Sequence, residues 1–261
     1  KRVTPEAEAA PPVAQTYRAT VQYDGAAYYG FQRQRRGTPS VQAELESALA
    51  HLAGRPIRVI GAGRTDTGVH ALGQVIGFTI EWPRRHGQAA LLRALNANLP
   101  PDIAVIELAE ASPGFHPRFD ARRRTYDYHV LITPVRRPLL RQRTWQMAQV
   151  LDVARMNAAA ALLVGEQDFA TFGRPTIGDS TVRAVYAAEW REEGELLVFR
   201  ICANAFLQRM VRSIVGTLVA VGSDKLTVAE FATALAARDR AQSAGVAPPQ
   251  GLYLISVEYD E

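Results

Sequence analysis

What most limits the folds open to this chain is the order in which two kinds of hydrophobic period follow one another. Residues 17–23 alternate like a half-buried strand. Thr38-Pro39 then predicts a helix start, with Pro39 at the first helical position. Val41, Leu45, Ala48, Leu49 and Leu52 share one helical face, and Gly54 ends the helix. Residues 57–60 and 74–80 read as strands, 88–98 as a helix stopped by Pro100-Pro101, and 103–108 as a strand. The same order returns in longer elements over 125–132, 152–163, 182–190, 196–202, 207–221 and 254–259. An extra helix over 227–237 precedes the last strand.

Strand-helix-strand-strand-helix-strand is the ferredoxin-like βαββαβ unit. The predicted fold class is therefore α+β: two ferredoxin-like halves with mainly antiparallel sheets side by side and the active-site cleft between them. The halves share a pattern without residue-level similarity. Ser112-Pro113-Gly114 and Pro117 break the periodicity, which puts the boundary within 110–120. The expected division is a disordered tail over 1–15, rich in Ala, Pro and Glu, a first half over 16–110 carrying the catalytic loop, and a second half over 111–261. Clefts between such units are common ligand sites.

Composition narrows the function classes. No apolar run reaches the roughly 18 residues of a membrane helix, and no secretory hydrophobic segment is read near the N-terminus. Cys202 is the only cysteine, which excludes an intrachain disulfide framework and a cysteine zinc cluster. The expected setting is the reducing cytoplasm, with no membrane partner. A net charge of +4 is mild, yet Lys1 and Lys225 are the only lysines, so 28 of the 30 basic residues are arginine. GC-rich coding gives such a bias without functional meaning. Equally, the planar guanidinium suits phosphates and stacking on bases. The arginines cluster as Arg33, Arg35 and Arg36, as Arg122, Arg123 and Arg124, and as Arg136, Arg137, Arg141 and Arg143. That clustering points to a nucleic-acid partner.

The most chemically informative stretch is Gly61-Ala62-Gly63-Arg64-Thr65-Asp66-Thr67-Gly68-Val69-His70. Its glycines imply a bent backbone that holds something in place, and the group to hold is Asp66. Four readings are open for it. Asp66 caps a tight turn. The glycines form a phosphate loop, although no Gly-Lys-Ser/Thr follows and the third Rossmann glycine is missing. Asp66-Thr67-Gly68 is half of an aspartic-protease pair that a homodimer would complete. Or Asp66 is an ionised nucleophile supported by arginine. His70, four residues on, suggests a metal ligand only if the loop were helical, and no second ligand cluster exists, so no metal is expected.

Two further segments carry candidates. Phe115-His116-Pro117-Arg118-Phe119-Asp120 leads into Arg122-Arg123-Arg124-Thr125-Tyr126. It is either a linker entering an exposed strand, or a place where arginines grip phosphates while a tyrosine ring stacks on a base. Within the apolar helix predicted over 207–221, Arg212 falls among Met210, Val211, Ile214, Val215 and Leu218. A buried Arg212 needs an anion, with Asp66 the candidate; a snorkelling Arg212 does not.

These segments together resemble the tRNA pseudouridine synthase A family. Residues 61–75 (GAGRTDTGVHALGQV) are similar to its catalytic-aspartate motif, and Tyr23-Asp24-Gly25 with Gly30-Phe31-Gln32-Arg33-Gln34 to its N-terminal signature. Residues 96–102 (NANLPPD), 115–119, 203–216 (ANAFLQRMVRSIVG) and 251–254 (GLYL) follow in the family's order. Phe31 stands where tryptophan is usual and Thr67 where alanine is commoner; Pro117 and Gln167 also depart. The resemblance implies that Asp66 is the nucleophile, that Tyr126 packs on the target uridine and that Arg212 pairs with Asp66. It also implies that Leu252 lines the base pocket and that Arg64 helps evert the nucleotide. The implied substrate is the tRNA anticodon stem-loop at positions 38–40, the implied assembly a homodimer, and no cofactor is called for. Beside it stand a non-catalytic ferredoxin-like RNA-binding module, in which Asp66 only shapes a turn, and the dimeric aspartic protease.

Overall fold

The computed structural model describes residues 14–35, 37–83 and 87–260. Residues 1–13 of the expected tail, and Arg36 of the first arginine cluster, lie outside them. Ala14 and Gln15, read from sequence as tail, instead pair with Glu81 and Ile80 and so begin the first strand. In chain order the elements are β1 (Ala14–Tyr23), α1 (Val41–Ala53), β2 (Ile60–Gly61), β3 (His70–Glu81), α2 (Gly87–Asn98) and β4 (Ile103–Glu110). Then come β5 (Ala121–Ile132), β6 (Trp145–Met147), α3 (Val153–Ala161), β7 (Gly165–Asp168) and β8 (Val182–Glu193). They are followed by β9 (Leu196–Ala203), α4 (Met210–Gly222), α5 (Val228–Ala237) and β10 (Leu252–Tyr259).

The strands form one sheet in the order β4-β1-β3-β10-β5-β9-β8-β7, with β2 on β3 and β6 on β5. Each half keeps the ferredoxin-like arrangement, β4-β1-β3-β2 in the first and β10-β5-β9-β8 in the second. Pairing is antiparallel except at β3–β10 and β5–β6. The two sheets are thus fused, and a shortened strand explains how. Of the strand predicted over 57–60 only Ile60 enters the ladder, followed by Gly61; they pair with Gly77 and Ile76. Ile57 and Val59 are buried without joining it. The His70 end of that β3 edge is left free, and β10 takes it through the parallel pairs Tyr253↔His70 and Leu254↔Ala71. An open edge is a hazard that natural sheets cover, and here the second half covers it.

Most helices begin a little later than their patterns suggest, each for a local reason. Ser40 takes the cap position of α1, so Pro39 lies outside the helix, while Gly54 closes it in the left-handed region at φ 67°. The helix predicted from 207 starts at Met210. Gln208 N–H bonds the Arg174 carbonyl at 2.9 Å and Arg209 adopts φ 63°, a turn that no helix continues through. Every residue of α4 except Arg212 and Gly216 is buried, which makes it the central helix of the second half. Strands β6 and β7 are too short to leave a period in the sequence. Among the described residues no helix is long and apolar enough to cross a membrane.

Candidate active site

The loop between β2 and β3 is fixed on several sides. Thr65 is buried, its hydroxyl 2.8 Å from the Tyr23 hydroxyl, and its carbonyl accepts from Phe31 N–H at 3.1 Å. Gln74, fully buried, brackets Gly63 by donating to its carbonyl at 3.0 Å and accepting from its N–H at 3.3 Å. Ala62 N–H donates to Val75 O at 2.8 Å. The glycines serve different ends from those the sequence suggested. Only Gly68 takes a left-handed conformation, φ 77°, in the turn where Val69 N–H reaches Asp66 O at 3.1 Å. Gly61 is small because a Cβ there would lie 2.4 Å from the Phe31 ring.

With its backbone held, Asp66 points to the other half. Arg212 Nη1–H donates to Asp66 Oδ2 at 2.9 Å across 146 residues of sequence. The Arg212 Nε–H is fixed by Ala247 O at 2.8 Å, so the guanidinium is aimed rather than free. Arg212 is 14 % exposed and Asp66 30 %, a half-buried ion pair rather than a snorkelling arginine. Around the pair lies a cleft of ≈ 290 Å³ with walls from both halves. Tyr126, Leu252 and Arg64 all line it. Tyr126 and Leu252 are buried, whereas Arg64 is exposed at the mouth. The structure therefore brings together all five residues that the resemblance singled out.

Tyr126 stands edge-on to Phe206, with ring centroids 5.0 Å apart and planes at 82°. Burial pushes its hydroxyl pKa up to about 12, against the pull of Arg124 and with a further push from the Asp66 charge. It is a neutral, rigid ring at neutral pH, suited to packing on a planar base.

The arginine clusters need correction. Arg124 does not grip a phosphate from the surface: it is buried, and its guanidinium donates to four backbone carbonyls. These are Arg118 O and Asn204 O, both at 2.6 Å, Ala121 O at 3.1 Å and Ala62 O at 3.4 Å. It ties the loop that carries Asp66 to the segment between the halves. Arg122 pairs with Asp260, and the Arg123 guanidinium lies 4.7 Å from the Tyr186 ring centroid. Arg33, Arg137 and Arg143 are paired with Glu46, Glu195 and Asp24.

His70 is a buried structural residue at the seam. One ring nitrogen, Nε2, is 2.8 Å from Gln142 O; the other, Nδ1, receives Gly25 N–H at 3.1 Å and lies 3.0 Å from Asp24 Oδ1. Its ring stacks on Tyr253, which stacks on His129 in turn. Among the described residues no three His, Cys, Asp or Glu side chains gather to hold a metal. Sequence reasoning did not single out Phe206, Arg118 or Arg209 as lining residues. Arg118 and Phe206 lie inside motifs already noted, but only the folded chain turns them toward Asp66.

Comparison with known proteins returns one consistent match. A family model described as tRNA pseudouridine synthase matches residues 19–120 and 159–260. A tRNA pseudouridine synthase A of Neisseria gonorrhoeae (strain NCCP11945) is 44 % identical over 94 % of this chain and 92 % of its own length. A protein of the same name from Paraburkholderia phymatum is 43 % identical over 92 % of this chain and 90 % of its own. One from Methylococcus capsulatus is 44 % identical over 92 % and 88 %.

Proposed function

We propose that this chain, which belongs to the tRNA pseudouridine synthase family, isomerises uridine to pseudouridine at positions 38–40 of the tRNA anticodon stem-loop, with Asp66 as its nucleophile. The observation that carries the reading is the Asp66–Arg212 pair, 2.9 Å long, in a cleft shared by both halves. At ≈ 290 Å³ the cleft is at the small end of ligand pockets, which run from roughly 300 Å³, a fit for one everted nucleoside.

The reaction breaks the N1–C1′ bond, turns the uracil and joins C5 to C1′. The C5 hydrogen leaves as a proton and N1 gains one, so no electron or group donor enters. A base inside a stacked stem cannot reach the carboxylate and is flipped out at a cost of a few kcal/mol. In this reading Arg64, exposed at the mouth, helps the nucleotide out. Tyr126 covers the base, and Leu252 gives it an apolar wall against which to turn. Arg212 holds the Asp66 carboxylate aimed into the cleft. Attack at C1′, attack at C6 and formation of a glycal all require a carboxylate in this place. The reading also takes the enzyme as a cytoplasmic homodimer of two-half subunits divided near residue 110.

The test uses tRNA carrying tritium at uridine C5, whose release is obligatory for isomerisation by any of the three routes. Wild-type protein is expected to release it and Asp66→Ala to release none, with tRNA affinity kept within about tenfold (roughly 1.4 kcal/mol). Release by Asp66→Ala would remove the nucleophile. Tight binding without release by the wild type would favour an RNA-binding module.

A further inference from the structure

Three arginines at and beside the cleft carry no acidic partner among the described residues. Arg64, Arg118 and Arg183 form no ion pair with any described residue, whereas Arg33, Arg122, Arg137, Arg143 and Arg200 each do. Arg118 and Arg183 brace the same segment, Arg118 through Thr176 and Arg183 through Ser180. Arg64, Arg118 and Thr176 line the cleft, and Arg183 is the second residue of β8, directly after that segment. Each feels the next: burial and then the Arg64 charge lower the Arg118 pKa, and burial and then the Arg118 charge lower that of Arg183.

The two side chains are also held in position. Arg118 Nη2–H donates to Thr176 Oγ1 at 2.8 Å, and its own carbonyl is gripped by Arg124 at 2.6 Å. Arg183 Nη1–H donates to Ser180 O at 3.0 Å and Val182 O at 2.5 Å, while its Nε is buried with no partner. Half-buried cations held without counter-ions raise the energy of the empty protein, and an arriving anion relieves it. Because the guanidiniums are already oriented, little side-chain entropy is lost on binding. For a protein that handles tRNA the anion available is the phosphodiester backbone, and the guanidinium fork matches it.

We infer that Arg118 and Arg183, continuing from Arg64, clamp consecutive backbone phosphates of the RNA strand that carries the everted uridine. The inference rests on the synthase reading for the identity of that strand. The clamp positions the strand and takes no part in bond making.

The experiment measures binding of an anticodon stem-loop RNA at graded salt, together with tritium release, for five proteins. These are the wild type, Arg118→Gln, Arg183→Gln and the double variant, with Arg118→Lys/Arg183→Lys as the control that keeps charge. Each lost phosphate contact is expected to reduce the slope of log affinity against log salt by about 0.7–0.9. Both single variants should show that loss, the double variant about twice as much, and the lysine control almost none. KM should rise about tenfold or more in the double variant while kcat stays within about threefold. Because the single variants carry the test alone, a double variant that fails to fold changes nothing. Wild-type slope and affinity in the glutamine variants would overturn the clamp, and so would a lysine control as impaired as the glutamine pair. A wild type that releases no tritium would sink the synthase reading instead, and the salt slopes would still decide whether these arginines hold phosphates.

Discussion

Arg212→Ala breaks the ion pair that links the two halves, and its cost can be worked from the geometry. The guanidinium makes two bonds, to Asp66 Oδ2 at 2.9 Å and to Ala247 O at 2.8 Å. Removing one member of a fully buried pair costs roughly 3–5 kcal/mol, whereas exposed pairs contribute roughly 0.2–1 kcal/mol. Here the arginine is 14 % exposed and the carboxylate 30 %, so the pair sits between those limits. About 1 kcal/mol for the orphaned Ala247 carbonyl, and about as much for Asp66 without its cation, gives about 2 kcal/mol in all. A chain of this size loses about 2–4 °C of Tm per kcal/mol, so calorimetry should show a fall of about 4–8 °C. Turnover should drop further, on the order of 10²-fold, because an unaimed carboxylate is misplaced for attack. Adding Asp66→Asn to the alanine variant removes the stranded charge and should return about 1 kcal/mol, a coupling that the double-mutant cycle isolates. A melting temperature within about 1 °C of wild type, or strict additivity of the two changes, would refute the account.

Two other outcomes follow from groups away from the reacting atoms. Arg124→Met leaves four carbonyls without their donor, and should destabilise by about 3 kcal/mol while leaving the salt dependence of RNA binding unchanged. A reduced salt slope would show that Arg124 meets phosphate after all. Burial holds the His70 and His129 imidazoles below their ordinary range, with the Asp24 charge and two backbone carbonyls raising His70 only in part. The unfolded chain therefore takes up protons near pH 6.5 before the native one does. Stability is full above that pH and falls as pH drops below it, by up to about 1.4 kcal/mol per unit for each imidazole. Melts at pH 7.5 and 5.5 should show this loss, and His70→Gln should lessen it; a protein that gains stability on acidification would contradict the assignment.

The parts of the fold legible in the sequence are those in which burial runs along a whole element. β1 and α1 bury one regular face, β3, β5 and α4 bury most of their length as apolar runs, and these patterns gave the βαββαβ order and the sites of most elements. Strand β2 misled because Ile57 and Val59 are buried without pairing, and burial alone writes the same apolar letters as a ladder does. The start of α4 misled because a left-handed arginine leaves no mark in a hydrophobic pattern. In the site, Asp66 and Arg212 were legible for chemical reasons: a carboxylate in a glycine-rich loop, and a cation among apolar residues that needs an anion. Arg124 was misread because a run of three arginines looks like a basic surface. On a strand Arg122 and Arg124 share a face, but Arg122 stands at the frayed start of β5 and reaches out to Asp260, while Arg124, two residues further in, is covered by the chain around it. Arg118 and Arg183 brace one segment from positions 65 residues apart, which only tertiary structure can arrange.

The seam between β3 and β10 is only two residue pairs long, yet the acid comes from one side of it and its counter-cation from the other. Beside it the halves are held by a few polar ties, Arg124 to Ala62 O, His70 to Gln142 O and Arg143 to Asp24. A local opening that breaks the splice and these ties separates acid from cation and admits water while the helices behind remain packed. Heat should therefore silence the enzyme before it melts it, and anything that stiffens the splice should lengthen its working life more than its melting temperature reveals.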